Sequence, residues 1–218
     1  MKLCLISDTH GLHDAVVVAE CDTLIHAGDC CNGGSMSDLK RFAKWFEKQP
    51  AKHKVLVAGN HDRCFEKYPE LARDAFKRHC PSGVYLQDSE VNVEGLTIWG
   101  SPWQPEFNNW AFNKPRDRLK PYWDMIPDNV DILVTHCPPF GFLDSNTARY
   151  DSRTKFGCRD LKDAMYRVRP LVHAFGHIHG GYGKNIYVDD DGHKTLLFNC
   201  SICTEGYYPT NQPHILDL

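Results

Sequence analysis

Apolar positions along this chain fall into short, nearly unbroken runs rather than into alternating stripes. Residues 2–7, 23–27 and 54–58 read KLCLIS, TLIHA and KVLVA. Runs of that length suit strands covered on both faces. Between the second and third, residues 36–49 carry Leu39, Phe42, Ala43 and Phe46 at helical spacing, with Ser35 or Ser37 able to cap the start and Pro50 closing the segment. A second helix is expected over 69–79, opened by Pro69, with Leu71, Ala72, Ala75 and Phe76 on its apolar side. The middle of the chain turns to strands at 84–87, 91–93 and 97–99, the last two joined by a turn at Glu94-Gly95. A buried strand at 131–135, a helix at 160–168 and a strand at 171–175 follow, then a hairpin of 185–188 with 195–199 and a last strand at 215–218. A βαβ start with antiparallel strands later predicts an α/β protein, built on one mixed sheet or on two sheets packed under helices.

The length of 218 residues suits one domain spanning 1–218. The formal charge is −3 and no segment is visibly basic, which argues against a grip on long nucleic acid. No apolar run is long enough to span a bilayer. The first polar motif begins at Asp8, so no cleaved leader is expected ahead of it. Ten cysteines include the adjacent pair Cys30-Cys31 and one lone C-x-x-C at Cys200–Cys203. That spacing predicts reduced thiols in a cytoplasmic protein rather than a disulfide framework or a zinc site.

Chemistry enters at the ends of the apolar runs. Five motifs stand there in order: Asp8-Thr9-His10, Gly28-Asp29, Gly59-Asn60-His61-Asp62, Thr135-His136 and Gly176-His177-Ile178-His179. Alone, Gly-Asp is only a common turn pair. Together the motifs pool three carboxylates, five imidazoles and one amide, a donor set for two adjacent metal ions. Consecutive parallel strands bring such residues to one sheet edge, where open α/β sheets bind ligands. Residues two apart in extended chain, such as His177 and His179, point the same way. Paired divalent ions are a device for hydrolysing phosphate esters, since a water between them ionises near neutral pH and attacks phosphorus in line. His61, between Asn60 and Asp62, is a candidate to stabilise the transition state or protonate the leaving oxygen, with Asp62 orienting it. His13, Asn32 and Arg63 lie just beyond the motifs and are candidate phosphate contacts. The cluster Trp99, Trp103, Phe107, Trp110 and Phe112 reads as sheet cover or as a lid for a base, and the polar stretch 141–157 as an entrance loop.

At these motifs the chain resembles the calcineurin-like metallophosphoesterases, with all five blocks in family order from Asp8 to His179. The stretches LIHAGD at 24–29, YLQDSE at 85–90, GSPWQP at 100–105 and THCPP at 135–139 are similar to the metallophosphoesterase-domain-containing subfamily, which is akin to class III cyclic nucleotide phosphodiesterases. The resemblance implies a four-layer α-β-β-α sandwich of two mixed sheets with a dinuclear site at the strand ends. It also implies a first metal held by Asp8, His10, Asp29 and His179 and a second by Asp29, Asn60, His136 and His177, with Asp29 bridging. Manganese is the favoured ion, with iron and zinc, cobalt or nickel as alternatives. The implied activity is hydrolysis of small phosphodiesters, nucleotides or cyclic nucleotides among them. Phosphomonoesterase, nuclease, and nucleotide-binding or scaffold roles stand as alternatives. Some animal members have glycine at the position of His177, and many relatives have glutamate at that of Asp62; a filled position 177 implies a complete site.

Overall fold

The computed structural model describes residues 1–146, 151 and 154–218. Two mixed sheets lie face to face between layers of helix, as the four-layer expectation requires. The first sheet holds β1 (Lys2–Ile6), β2 (Cys21–Ala27), β3 (Ala51–Val57) and β4 (Gly83–Leu86), all parallel, with the C-terminal strand His214–Asp217 antiparallel along β1. The second is built from β5 (Ser89–Val93) and β6 (Leu96–Ser101), then, past a two-stranded parallel ribbon of β7 (Gln104–Pro105) and β8 (Asn113–Lys114), from β9 (Ile132–Thr135), β10 (Val172–Phe175), β11 (Gly183–Val188) and β12 (Lys194–Asn199). Its order is β11-β12-β10-β9-β6-β5, with β6, β9, β10 and β12 parallel and the two edge strands antiparallel to their neighbours. The strand at 214–217 is β13.

Strand alternation explains why the apolar runs are unbroken. Leu3, Leu5, Ile25, Ala27, Val55 and Val57 face the second sheet, where Ile98, Ile132, Val134, Val172 and Ala174 meet them. Their neighbours Cys4, Ile6, Leu24 and Leu56 turn the other way, onto α1 (Met36–Glu47) and α3 (Pro69–His79) through Phe42, Phe46 and Phe76. On the far side, Trp99 and Leu133 pack under α4 (Lys120–Trp123) and α5 (Arg159–Val168). A short helix, α2 (Arg63–Lys67), precedes α3. With both faces of both sheets covered, side chains of the central strands are buried whichever way they point, while the edge strands β5, β11 and β13 keep exposed positions.

Local signals decide most boundaries. Ser35, not Ser37, caps α1, its side chain accepting from the Asp38 amide at 3.0 Å. The helix ends at Glu47, two residues short of the expected Gln49. The Glu94-Gly95 turn has both residues at positive φ, as a tight hairpin demands. Leu71 departs from expectation: it is 63% exposed, because α3 buries only Ala72, Ala75 and Phe76 against the sheet. No helix among the described residues is long and apolar enough to cross a membrane.

One buried histidine carries a stability consequence. His173 on β10 is fully buried, its Nε2 against Thr135 Oγ1 at 2.9 Å. That hydroxyl donates to the Cys137 carbonyl, so it accepts from the imidazole, which is neutral. Burial pushes its pKa from 6.5 down to about 3. The unfolded chain therefore binds a proton that the folded chain refuses between those values. This group leaves stability unaffected above pH 6.5 and lowers it as pH falls toward 3. The slope is up to about 1.4 kcal/mol per pH unit. Urea unfolding at pH 7.5, 6 and 5 is expected to show a His173→Gln variant losing stability less steeply than wild type. Identical slopes count against it.

Candidate metal centre

The five motifs converge where the two sheets meet. Asp8, Asp29 and Asn60 follow the ends of β1, β2 and β3, while His136 and His177 follow β9 and β10. The sheets are joined at this edge by a bridge between Ser7 and Ser201, with the Ser7 amide donating to the Cys200 carbonyl at 2.9 Å. His10 and His179, 169 positions apart in sequence, therefore share one wall of a cavity. Its volume is about 200 Å³, and Asp29, Asn60, His61 and His177 are among the other residues that line it.

The backbone is bent to bring them there. Asp8, His10, Asp29 and His177 all have positive φ, at 51°, 46°, 58° and 67°. Four side-chain-bearing residues in the left-handed region at one place mark a functional turn cluster rather than ordinary loops. Two glycines make the close approach possible. A Cβ on Gly28, itself at φ 103°, would lie 2.3 Å from His136 Nδ1, and one on Gly176 would lie 2.0 Å from Asp8 Oδ2. Gly28→Ala is accordingly expected to displace the His136 ring and to destabilise the fold by roughly 1–3 kcal/mol from strain alone. A shift of the urea midpoint, together with weaker metal retention, checks it; an unchanged midpoint counts against it.

The hydrogen bonds fix which atoms face inward. Asp8 Oδ2 accepts from Ser7 Oγ at 2.5 Å, Ser201 Oγ at 2.9 Å and the His177 amide at 3.0 Å. His136 Nδ1 donates to the Ala27 carbonyl at 3.0 Å, and His179 Nδ1 to the Thr204 carbonyl at 3.0 Å. The Nε2 atoms of both rings are therefore turned toward acceptors. His136 Nε2 lies 2.9 Å from Asn60 Oδ1 and 3.4 Å from Asp29 Oδ2. His179 Nε2 lies 3.3 Å from Asp8 Oδ1 and 3.1 Å from His10 Nε2. His10 Nε2 in turn lies 3.8 Å from Asp29 Oδ2, and its Nδ1 is buried without a partner. Lone pairs thus converge in three overlapping groups, Asp8 with His10 and His179, His10 with Asp29 and His61, and Asp8 with Asp29 and His136. Such a gathering favours positive charge at its centre.

The titration behaviour reflects that need. Burial opposes charge on both Asp8 and Asp29, yet the surrounding imidazoles hold both carboxyls well below the usual range. Burial likewise opposes the charged form of His136, but Asp29 outweighs it and lifts the ring to about 9. Burial dominates at His10, which is lowered to about 4, and at His177, lowered to about 3 by burial and then by His136. His177 lies beside the third group with its ring centroid 5.0 Å from that of His136.

Other expected residues are placed differently. His61 is buried at the cavity wall, its amide donating to Asp29 Oδ1 at 2.7 Å. Asp62 does not orient it. That carboxylate is fully buried and accepts from the Gly59 and Cys31 amides at 2.8 Å each, while the Asn32 carbonyl, 2.5 Å from His61 Nδ1, holds the ring. Asn32 thus touches the site through its backbone. His13 is enclosed by Phe42 and Trp45 on the helix side, away from the cavity. Arg63 donates to the Asn109 carbonyl at 2.7 Å and lies over the Trp110 ring, outside the cavity lining. The aromatic cluster is divided. Trp99 and Phe112 are core, Trp103 packs on Phe112 and Tyr122, Trp110 stacks on His61, and Phe107 is exposed at the cavity. Of the stretch 141–157, Asn146 and Phe156 line the cavity, while 147–150, 152 and 153 lie outside the described residues.

Sequence reading missed Ser7, Ser201, Arg116, Glu205 and Tyr207. Tyr207, at φ 60°, sets its ring 4.8 Å from that of His10 and 5.4 Å from that of His179. Arg116 reaches the cavity while donating to the carbonyls of Phe156 and Gly157. Neither lies near a motif, and no signal in the sequence singles them out.

Comparison with known proteins agrees with this geometry. Residues 1–181 match the family model of the calcineurin-like phosphoesterases. The chain is 41% identical to human metallophosphoesterase domain-containing protein 1, over all of this chain and 71% of that one. Among solved structures it superposes on TT1561 of Thermus thermophilus with a TM-score of 0.61, at 14% identity over 90% of this chain and 88% of that one. It also superposes on the phosphopantetheinyl hydrolase of Mycobacterium tuberculosis with a TM-score of 0.58, at 16% identity over 99% and 96%.

Proposed function

This chain belongs to the calcineurin-like phosphoesterase family and is a phosphoric ester hydrolase, and from that premise we propose that it cleaves phosphodiester bonds of small nucleotides, cyclic ones included. The observation that carries the proposal is the set of three overlapping lone-pair groups, one of which includes His61, at a cavity lined by His10, Asp29, Asn60, His177 and His179. The family uses divalent metal ions, and the donors present fit them. One ion would take Asp8, His10, Asp29 and His179; the other would take Asp29, Asn60, His136 and His177. Imidazole, carboxylate and amide oxygen without thiolate suit manganese, iron, zinc, cobalt or nickel, and the family resemblance favours manganese. When bound, the ions supply positive charge to the phosphoryl oxygens and acidify water.

The protein's own groups do the rest. Ser7 and Ser201 hold Asp8, and the Ala27 and Thr204 carbonyls engage Nδ1 of His136 and His179, so that Nε2 is the atom each ring turns toward the cluster. In the reaction the oxygen of water bonds to phosphorus, the bond from phosphorus to the leaving oxygen breaks, and its electron pair stays on that oxygen. The attacking water releases one proton to solvent, and His61, in the doubly protonated form with Nδ1–H donating to the Asn32 carbonyl, delivers its Nε2 proton to that oxygen. Phe107, Tyr207 and Phe156 give the cavity an apolar rim that suits the ring of a base. Arg116 adds a cation for a second phosphate oxygen. A cytoplasmic setting is part of the proposal, supported by ten free, buried cysteines.

The test is metal analysis of the purified protein, then rates on a bis-aryl phosphate, an aryl phosphate monoester and a panel of cyclic and linear nucleotides with each metal restored. Preference for the diesters supports the proposal. Faster turnover of the monoester makes the protein a phosphomonoesterase, and tight nucleotide binding without turnover makes it a binding protein.

A further inference from the structure

His61 is gripped by more than its hydrogen bond. The Trp110 indole stacks on the imidazole with centroids 3.9 Å apart and planes at 23°. On the indole lies the Arg63 guanidinium, 4.5 Å from the ring centre. The loop that carries Trp110 is pinned to the ligand motif itself: the Ala111 amide donates to the Asn60 carbonyl at 3.1 Å, and the Phe112 amide to Glu66 Oε1 at 2.9 Å. Trp110 is half-buried and does not line the cavity.

From this stack we propose that Trp110 is a positioning residue that fixes the plane of the His61 ring, with Arg63 holding the indole in place. The physical need is clear. The second torsion of a histidine is broad, so a single bond from Nδ1 leaves the ring free to rock. The Asn32 carbonyl fixes rotation within the plane; the indole face fixes the plane. The His10 ring closes the other approach edge-on, with centroids 4.5 Å apart. Nε2 is then aimed at one place in the cavity. A misplacement of about 1 Å at a reacting group costs roughly 10²-fold in rate. The choice of substrate below rests on the phosphodiester reading; the contact itself does not.

The experiment compares Trp110→Ala, Trp110→Phe, His61→Ala and the double variant Trp110→Ala/His61→Ala. Rates are measured on diesters with a good (4-nitrophenyl) and a poor (phenyl) leaving group. Trp110→Ala is expected to lower kcat by about 10- to 100-fold on the poor leaving group and less on the good one, with KM within about twofold. Trp110→Phe should recover most of the loss, and the double variant should be no slower than His61→Ala. Additive losses, or equal losses on both esters without recovery by phenylalanine, overturn the proposal. A second measurement is independent of turnover. In the zinc-loaded protein the His61 ring protons should sit upfield in the indole ring current and move downfield in Trp110→Ala; unmoved signals also overturn it. Should wild type cleave neither ester, the functional reading fails while the ring signals still decide the role of Trp110.

Discussion

Asp29→Ala is expected to release both metal ions and to lower hydrolysis by on the order of 10³-fold or more, beyond what a single electrostatic donor contributes. The reason is position. Asp29 is the one carboxylate whose oxygens reach His136 Nε2, at 3.4 Å, His10 Nε2, at 3.8 Å, and the His61 amide, at 2.7 Å. It therefore belongs to two of the three lone-pair groups, His10 with His61 and Asp8 with His136. Its removal also takes away the charge that lifts His136, whose pKa should fall as burial then dominates. The fold should survive, since losing one of several crowded acceptors removes repulsion as well as attraction. Metal content per chain, with circular dichroism as the control, checks this. Retention of both ions at full occupancy would falsify the bridging role.

His61→Ala should behave in the opposite way. Turnover is expected to drop by about 10²- to 10⁴-fold with both ions still bound. Nδ1 is committed to the Asn32 carbonyl, the backbone amide that donates to Asp29 remains in alanine, and of the three lone-pair groups only the one with His10 and Asp29 includes the His61 ring. The deficit should grow as the leaving group becomes a stronger base, because a better leaving oxygen needs no proton. If the variant loses its metals instead, His61 is a ligand and the assignment of roles changes.

These two residues illustrate how the site was and was not legible. Asp29 could be found only as one of five strand-end motifs in order, since Gly-Asp alone is a common turn pair; that only glycine fits beside His136 at position 28 is visible in the structure. His61 could be found as the imidazole left over after the ligands were shared out. Its support could not. Asp62, adjacent in sequence, is the natural partner on the rule that carboxylates orient histidines, but its oxygens are taken by the amides of Gly59, Cys30 and Cys31. A carboxylate so deeply buried is drawn to several backbone donors at once, and the imidazole is left to a carbonyl from another loop. His13 shows the same limit: near a motif in sequence, it lies on the wrong side of the sheet.

The sequence by itself determined most strands and the main helices and pointed to the strand-end motifs, because hydrophobic runs and such motifs are local properties; how the motif residues divide into two ligand sets came from the family resemblance and is a proposal. Two-sided burial was written there too, as runs without alternation. Only the tertiary structure decided that strands from two different sheets deliver their ends to one cavity, that Ser201 holds Asp8, that Tyr207 covers His10, and that Trp110 lies flat on His61. Those contacts join residues from 49 to 197 positions apart, and nothing short-range encodes them. They follow from closing two sheets against each other over a shared apolar core, which sets where each loop ends and so which ring faces which.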